Sequence, residues 1–144
     1  MDRNILFLCT GNSARSQMAA ALLTKHAGDR YRVHSAGTRP AATVFPPVVT
    51  VMREIGLDLS DCHPKGIDPF LGRMHFECVI TVCSDAETEC PAIFGPATRL
   101  HWPFDDPAAI QGSPAEILAA CRRIRDQIEI RILDWLRDSQ SAAR

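Results

Sequence analysis

The stretch from Asn4 to Cys9, NILFLC, carries five apolar residues in six and shows no polar alternation. A strand with one face in water alternates. A run like this predicts a strand covered on both faces, as in a parallel sheet. Thr-Gly-Asn ends it, and residues from about Ala14 to His26 (ARSQMAAALLTKH) are rich in helix formers up to an Ala-Gly-Asp stop. The alternation then repeats. Tyr31 to Ser35 predicts a second strand closed by Ala-Gly, and Pro46-Pro47 opens a helix that continues through Val48 to Ile55 and stops at Gly56. Phe76 to Val82 (FECVITV) predicts a third, buried strand and Thr98 to Trp102 a fourth. Pro114 to Leu136 predicts a long helix, with Ile117, Cys121, Ile124, Ile128, Ile132 and Trp135 forming its apolar stripe. This order argues an α/β fold: a four-stranded parallel sheet with helices on both faces. At 144 residues, with no internal repeat, the expectation is a single domain over residues 1–144.

Functional groups in such folds gather beyond the carboxyl ends of the strands. Cys9, Cys83 and the pair Asp105-Asp106 each fall just past a predicted strand. The first of these opens Cys9-Thr-Gly-Asn-Ser-Ala-Arg15-Ser16, which fits C-x5-R-[ST] between a strand and a helix. A loop of small residues (Thr10, Gly11, Asn12, Ser13, Ala14) can turn successive N–H groups inward as a nest for a tetrahedral oxyanion. Gly11 and Asn12 tolerate the left-handed angles such winding needs. The helix that follows aims its positive end at the same spot, and Arg15 can fork two hydrogen bonds onto the anion. This setting is expected to lower the pKa of Cys9 and supply a thiolate at neutral pH, with Ser16 stabilising it through its hydroxyl. The plain alternative is a buried cysteine ending a strand and a surface arginine opening a helix. The flanking strand and helix, with Gly and Asn inside the loop, favour the site.

Composition mainly excludes. A formal net charge of −1, with 23% charged and 46% hydrophobic residues, offers no electrostatic case for nucleic acid or an anionic membrane. Apolar stretches are too short to span a bilayer, and the first residues lack the pattern of a secretion signal, so the expected location is the cytoplasm. In that reducing compartment six cysteines point to catalysis, metal binding or burial rather than to structural disulfides.

The segments LFLCTGNSARSQMA, SAG at 35–37, TVCSDAETECP at 81–91 and HWPFDDPA at 101–108 together resemble the thioredoxin-coupled arsenate reductases, relatives of the low-molecular-weight protein tyrosine phosphatases. The resemblance runs in order over roughly residues 4 to 135. It implies a general acid at Asp106, beside Pro107, with Asp105 the lesser choice; a turn aspartate is the plain alternative. It also implies a relay. Cys9 attacks arsenate, Cys83 attacks the Cys9–arsenic adduct to release arsenite, and Cys90 then takes over the disulfide for reduction by thioredoxin or a similar dithiol. No metal or organic cofactor is required. The alternative within the resemblance is a phosphatase acting on aryl or small phosphate esters, but Ala108 and Ala109 stand where those enzymes carry aromatic residues.

Cys83 and Cys90 are seven positions apart, which on a helix leaves them roughly 10 Å from each other. A disulfide needs α-carbons within about 7 Å, so pairing requires the segment to loop out. Zinc is poorly served by this spacing. Cys62, Cys78 and Cys121 are expected to be structural, the five histidines show no metal spacing, and His101-Trp102 is expected to support the acid loop. Potassium-binding members of the implied family hold the ion with the loop asparagine, the serine of Ser-Ala-Gly and two carboxylates. Asn12 and Ser35 match, whereas the acid positions align with Ala20 and Lys65. Two readings of Lys65 stand: an ammonium in place of the ion, or a solvated surface lysine.

Overall fold

The computed structural model describes residues 3–70, 74–83 and 97–142. Strands β1 (Asn4–Cys9), β2 (Arg32–Gly37), β3 (Cys78–Thr81) and β4 (Thr98–His101) form one parallel sheet in the order β2-β1-β3-β4. Every residue of β1 is buried, which is why its sequence does not alternate. At the edge, β4 is largely exposed and its sequence is correspondingly polar. Helices α1 (Arg15–Ala27), α2 (Pro46–Arg53) and α3 (Pro114–Ala142) follow the expected order, and α3 packs against both of the others.

The stripe read from sequence is the buried seam of α3. Cys121, Ile124, Ile128 and Ile132 are fully buried, each isoleucine contributing on the order of 1.5–3 kcal/mol. Trp135 of this helix meets Tyr31 and Trp102, and Trp102 in turn meets Phe7 of β1. Because side chains alternate across a strand, Leu6 and His34 face the other way. There His34 meets Phe70, in a short 3-10 turn at Asp68–Phe70, and Phe76. Polar staples tie the helices: His26 meets Glu129 at 2.7 Å, and Arg125 reaches Val51 O at 2.7 Å and Glu54 at 3.0 Å.

Several strand ends depart from expectation by one or two residues: β2 begins at Arg32, β3 is confined to Cys78–Thr81 within Phe76–Val82, and β4 stops at His101, short of Trp102. The second strand continues through Ala36 and Gly37 instead of stopping at Ser35. Gly37 pairs with Cys9 on one side and bridges Gly66 on the other. A Cβ there would stand 2.5 Å from Thr10 O and 3.0 Å from Asn12 N, so the glycine serves close backbone approach, not termination.

Candidate functional site

The six carbonyls from Cys9 to Ala14 all point outward and are bonded. Cys9 O accepts from Thr38 N (3.0 Å), Thr10 O from Arg39 N (2.9 Å), Gly11 O from Ala41 N (2.9 Å) and Ser13 O from Phe45 N (2.8 Å). Asn12 O accepts from the Gln17 side chain (3.1 Å) and Ala14 O from Met18 N (3.0 Å). Carbonyls held outward leave the loop's N–H groups for the concave side, the geometry an oxyanion nest requires. Sequence reasoning missed the segment at 38–45 that makes four of these bonds. Backbone donors leave no residue-type signal, so only its small, Pro-punctuated character hinted at a loop.

Of the two residues expected to wind left-handed, Asn12 does so, with φ 51°, while Gly11 does not. Ala14 precedes α1 without any side-chain cap, which leaves the first-turn N–H groups to the cavity. That cavity has a volume of about 280 Å³ and is lined by Cys9, Thr10, Gly11, Ser13, Ala14, Arg15 and Asp106. Asn12 and Ser16 lie beneath it, fully buried, against the sulfur.

Cys9 is 2% exposed. Its Sγ is 2.9 Å from Ser16 Oγ and accepts the Asn12 N–H at 3.0 Å. Burial pushes the thiol above its ordinary range, against the pull of these two hydrogen bonds, and neighbouring Cys83 adds to the rise. The lowering expected from sequence is therefore not what the loop alone produces. The same wrapping that aims donors at the sulfur also strips it of water.

Arg15 donates to Phe104 O at 3.1 Å and lies 3.6 Å from Asp106 Oδ2, with its side chain 14% exposed. Asp106 is held by the Ala108 N–H at 3.0 Å, at the head of a 3-10 turn, Pro107–Ala109. Its side chain is 42% exposed, open to solvent on one side and to the cavity on the other. Asp105 turns outward, 80% exposed and 4.0 Å from Arg123. Cys83, just past β3, is buried with its Sγ 3.3 Å from Thr10 Oγ1, so a second thiol reaches the loop. Cys90, and the segment expected to loop out, lie outside the described residues.

Cys78 is buried, its thiol pushed up to about 12 by desolvation and Glu77, and Cys121 is in the core. Half-buried Cys62 lines a second cavity of about 230 Å³ that also contains Ala20, Ser35 and Lys65. The Lys65 Nζ donates to Ser35 Oγ (3.4 Å) and His63 O (3.2 Å), and no carboxylate lines that cavity among the described residues. A potassium ion would meet an ammonium and no compensating acid, so these residues do not fit the ion. Burial lowers the Lys65 pKa. No group of three or more His, Cys, Asp or Glu suited to a metal occurs among the described residues. His101 is bonded to Thr81 Oγ1 at 2.8 Å, beneath the strand end that carries Trp102 toward the acid segment.

A parallel α/β sheet whose first strand ends in a thiol, wrapped by a loop of inward N–H groups and faced by Arg and Asp, defines an oxyanion-loop protein with a cysteine at its floor. The family described as low molecular weight phosphotyrosine protein phosphatase matches residues 4–143, and the chain belongs to that family. It is 45% identical over 131 residues to an arsenate reductase of Bacillus licheniformis, covering 90% of this chain and 92% of the relative. A Corynebacterium glutamicum thioredoxin-dependent arsenate reductase is 29% identical with a TM-score of 0.69, covering 98% of this chain and 63% of that one. An arsenate reductase in an oxidized state shares the fold, with a TM-score of 0.77 at 24% identity over 92% of this chain and 95% of that one.

Proposed function

We propose that this chain acts as a single domain that reduces arsenate to arsenite through a relay of Cys9, Cys83 and Cys90. The observation that carries this reading is the Cys83 Sγ at 3.3 Å from Thr10 Oγ1, inside the loop that wraps Cys9. Ester hydrolysis needs one thiol, an arginine and an acid. A second buried thiol at the loop is what a two-electron reduction needs.

Arsenate binds against the loop N–H groups and Arg15. The Cys9 sulfur bonds to arsenic as one arsenate oxygen leaves as water, protonated by Asp106. Cys83 as thiolate then attacks Cys9 Sγ. The S–As electron pair passes to arsenic, so arsenic(V) becomes arsenite and the two thiols become a Cys9–Cys83 disulfide. Attack by the Cys90 thiolate on Cys83 frees Cys9 and moves the disulfide to Cys83–Cys90, which thioredoxin or a similar dithiol reduces by exchange. Arsenate and phosphate have nearly the same shape and charge, so chemistry selects between them: phosphorus(V) does not accept the electron pair. In this reading the Lys65 ammonium, resting on Ser35 Oγ, takes the place of a bound cation. The setting is the cytoplasm, whose reducing poise keeps the thiols available, and no helix among the described residues is long and apolar enough to cross a membrane.

The test is NADPH oxidation coupled through thioredoxin reductase and thioredoxin with arsenate as substrate, run beside aryl phosphate hydrolysis. Arsenate-dependent turnover that needs thioredoxin supports the relay. Ester hydrolysis without arsenate turnover would instead make the chain a phosphatase.

A further inference from the structure

Of the six outward ties on the loop carbonyls, five come from backbone N–H groups. The sixth, on the left-handed residue Asn12, comes from a side chain, Gln17. We infer that Gln17 is a positioning residue for Cys9: it locks Asn12 in its turn and, through the Asn12 amide, sets Ser16 to donate its hydroxyl proton to the sulfur. The inference rests on Cys9 as the nucleophile of the proposed reaction.

The direction of the amide protons in this network follows from chemistry. The Lys65 main-chain N–H can only donate, so the Asn12 atom 2.8 Å from it is Oδ1. The other end of that amide, Nδ2, therefore faces Ser16 Oγ at 2.7 Å and donates to it. Ser16 Oγ then has its own hydrogen left for Cys9 Sγ, 2.9 Å away, which as a thiolate has no proton of its own to give. Gln17 Nε2 faces three acceptors, Asn12 O and Oδ1 at 3.1 Å each and His63 O at 3.2 Å, so the nitrogen and not the oxygen of its amide stands there. With its nitrogen engaged, Gln17 secures both the backbone turn that aims Asn12 N at the sulfur and the amide orientation that makes Ser16 a donor. Cys9, Asn12, Ser16 and Gln17 are buried, where a satisfied network is stiff and an unsatisfied one costly.

Among the described residues, the charged and titratable groups around Cys9 are Arg15 on α1, Cys83 after β3, Asp106 ahead of its 3-10 turn, and the Lys65 ammonium on Ser35 of β2. Gln17→Met alters none of them and keeps the side-chain length. Cys9 alkylation by iodoacetamide, followed against pH and mapped by mass spectrometry, should shift its midpoint upward by about one pH unit in this variant. In a Ser16→Ala background the same change should produce less than about half that shift, because part of its route is already cut. An unmoved midpoint in a Gln17→Met protein with native near-ultraviolet circular dichroism overturns the inference, as does an undiminished shift in the Ser16→Ala background. If Gln17→Met does not fold, the wild type decides: the Gln17 side-chain amide resonances should follow the Cys9 titration with its midpoint, and flat resonances overturn the inference. None of these readouts uses arsenate, so failure of the arsenate assay and failure of this assignment are separate results.

Discussion

The cradle at Cys9–Ser16 and the aspartate at 106 line one cavity and are built by opposite means. The cradle is over-determined. Six carbonyls are tied outward, Asn12 is held in a left-handed turn, and Cys9, Asn12 and Ser16 are buried. Asp106, by contrast, rests on one backbone hydrogen bond and a 3.6 Å contact with Arg15, with much of its carboxylate in water. A site that stabilises charge on an incoming anion gains from donors that need no rearrangement. A group that delivers a proton gains from access and latitude. The cradle's rigidity carries a cost: it desolvates the Cys9 thiol it wraps.

The largest effect should come from the thiols. Cys9→Ser should remove both arsenate reduction and any ester hydrolysis, by roughly 10⁴-fold or more. Cys83→Ser and Cys90→Ser should stop arsenate turnover with thioredoxin yet leave ester hydrolysis largely intact. Full turnover by Cys90→Ser in the coupled assay sinks the three-thiol relay.

Next, Asp106→Asn should lower turnover by about 10²–10⁴-fold while melting within about 0.5 kcal/mol of wild type, as expected for an exposed side chain. The loss should shrink for an aryl phosphate with a good leaving group, which needs no proton. Gly37→Ala probes the cradle. Its Cβ would press on Thr10 O and Asn12 N, both backbone, and should cost about 1–3 kcal/mol of stability together with activity. A thermal melt in which Gly37→Ala is silent and Asp106→Asn is not would make the acid segment, and not the cradle, the rigid part of the site.

The pH dependence of Cys9 gives a finer measure. Because burial raises its pKa, the thiolate fraction at neutral pH is small and alkylation should climb with pH to a midpoint above the ordinary thiol value of about 8.5. Ser16→Ala removes a donor to the thiolate, so the midpoint should move further up, by about one unit. A midpoint below the ordinary value in the wild type would mean that the loop's donors outweigh desolvation.

The smallest effect concerns Lys65. Turnover should be equal in sodium and potassium buffers of matched ionic strength, and Lys65→Ala should lose a few-fold that potassium does not restore. Several-fold stimulation of the wild type by potassium would show that the ammonium does not stand in for an ion.

Most of the sheet was legible because β1 and β3 are buried on both faces and their side chains had to be apolar. The α3 stripe was legible for the same reason. Boundaries were less so: Ala-Gly after Ser35 reads as a stop, yet Gly37 continues the strand because Thr10 crowds it. The loop's chemistry was visible in Cys9, Asn12, Arg15 and Ser16, since side-chain type carries that signal. Its scaffold at 38–45 was not, because backbone N–H groups are the same in every residue but proline.

By itself the sequence determined the order of strands and helices and the placing of Cys9, Cys83 and Asp106 at strand ends, since periodicity and turn residues act locally along the chain. The tertiary structure alone decided whether Lys65 reaches Ser35 and which way the Cys9 pKa moves. Those depend on what distant segments bring to one place. The sign of the pKa shift in particular sets desolvation by the whole fold, with Cys83 beside it, against local hydrogen bonds from Ser16 and Asn12, and no local pattern encodes its outcome.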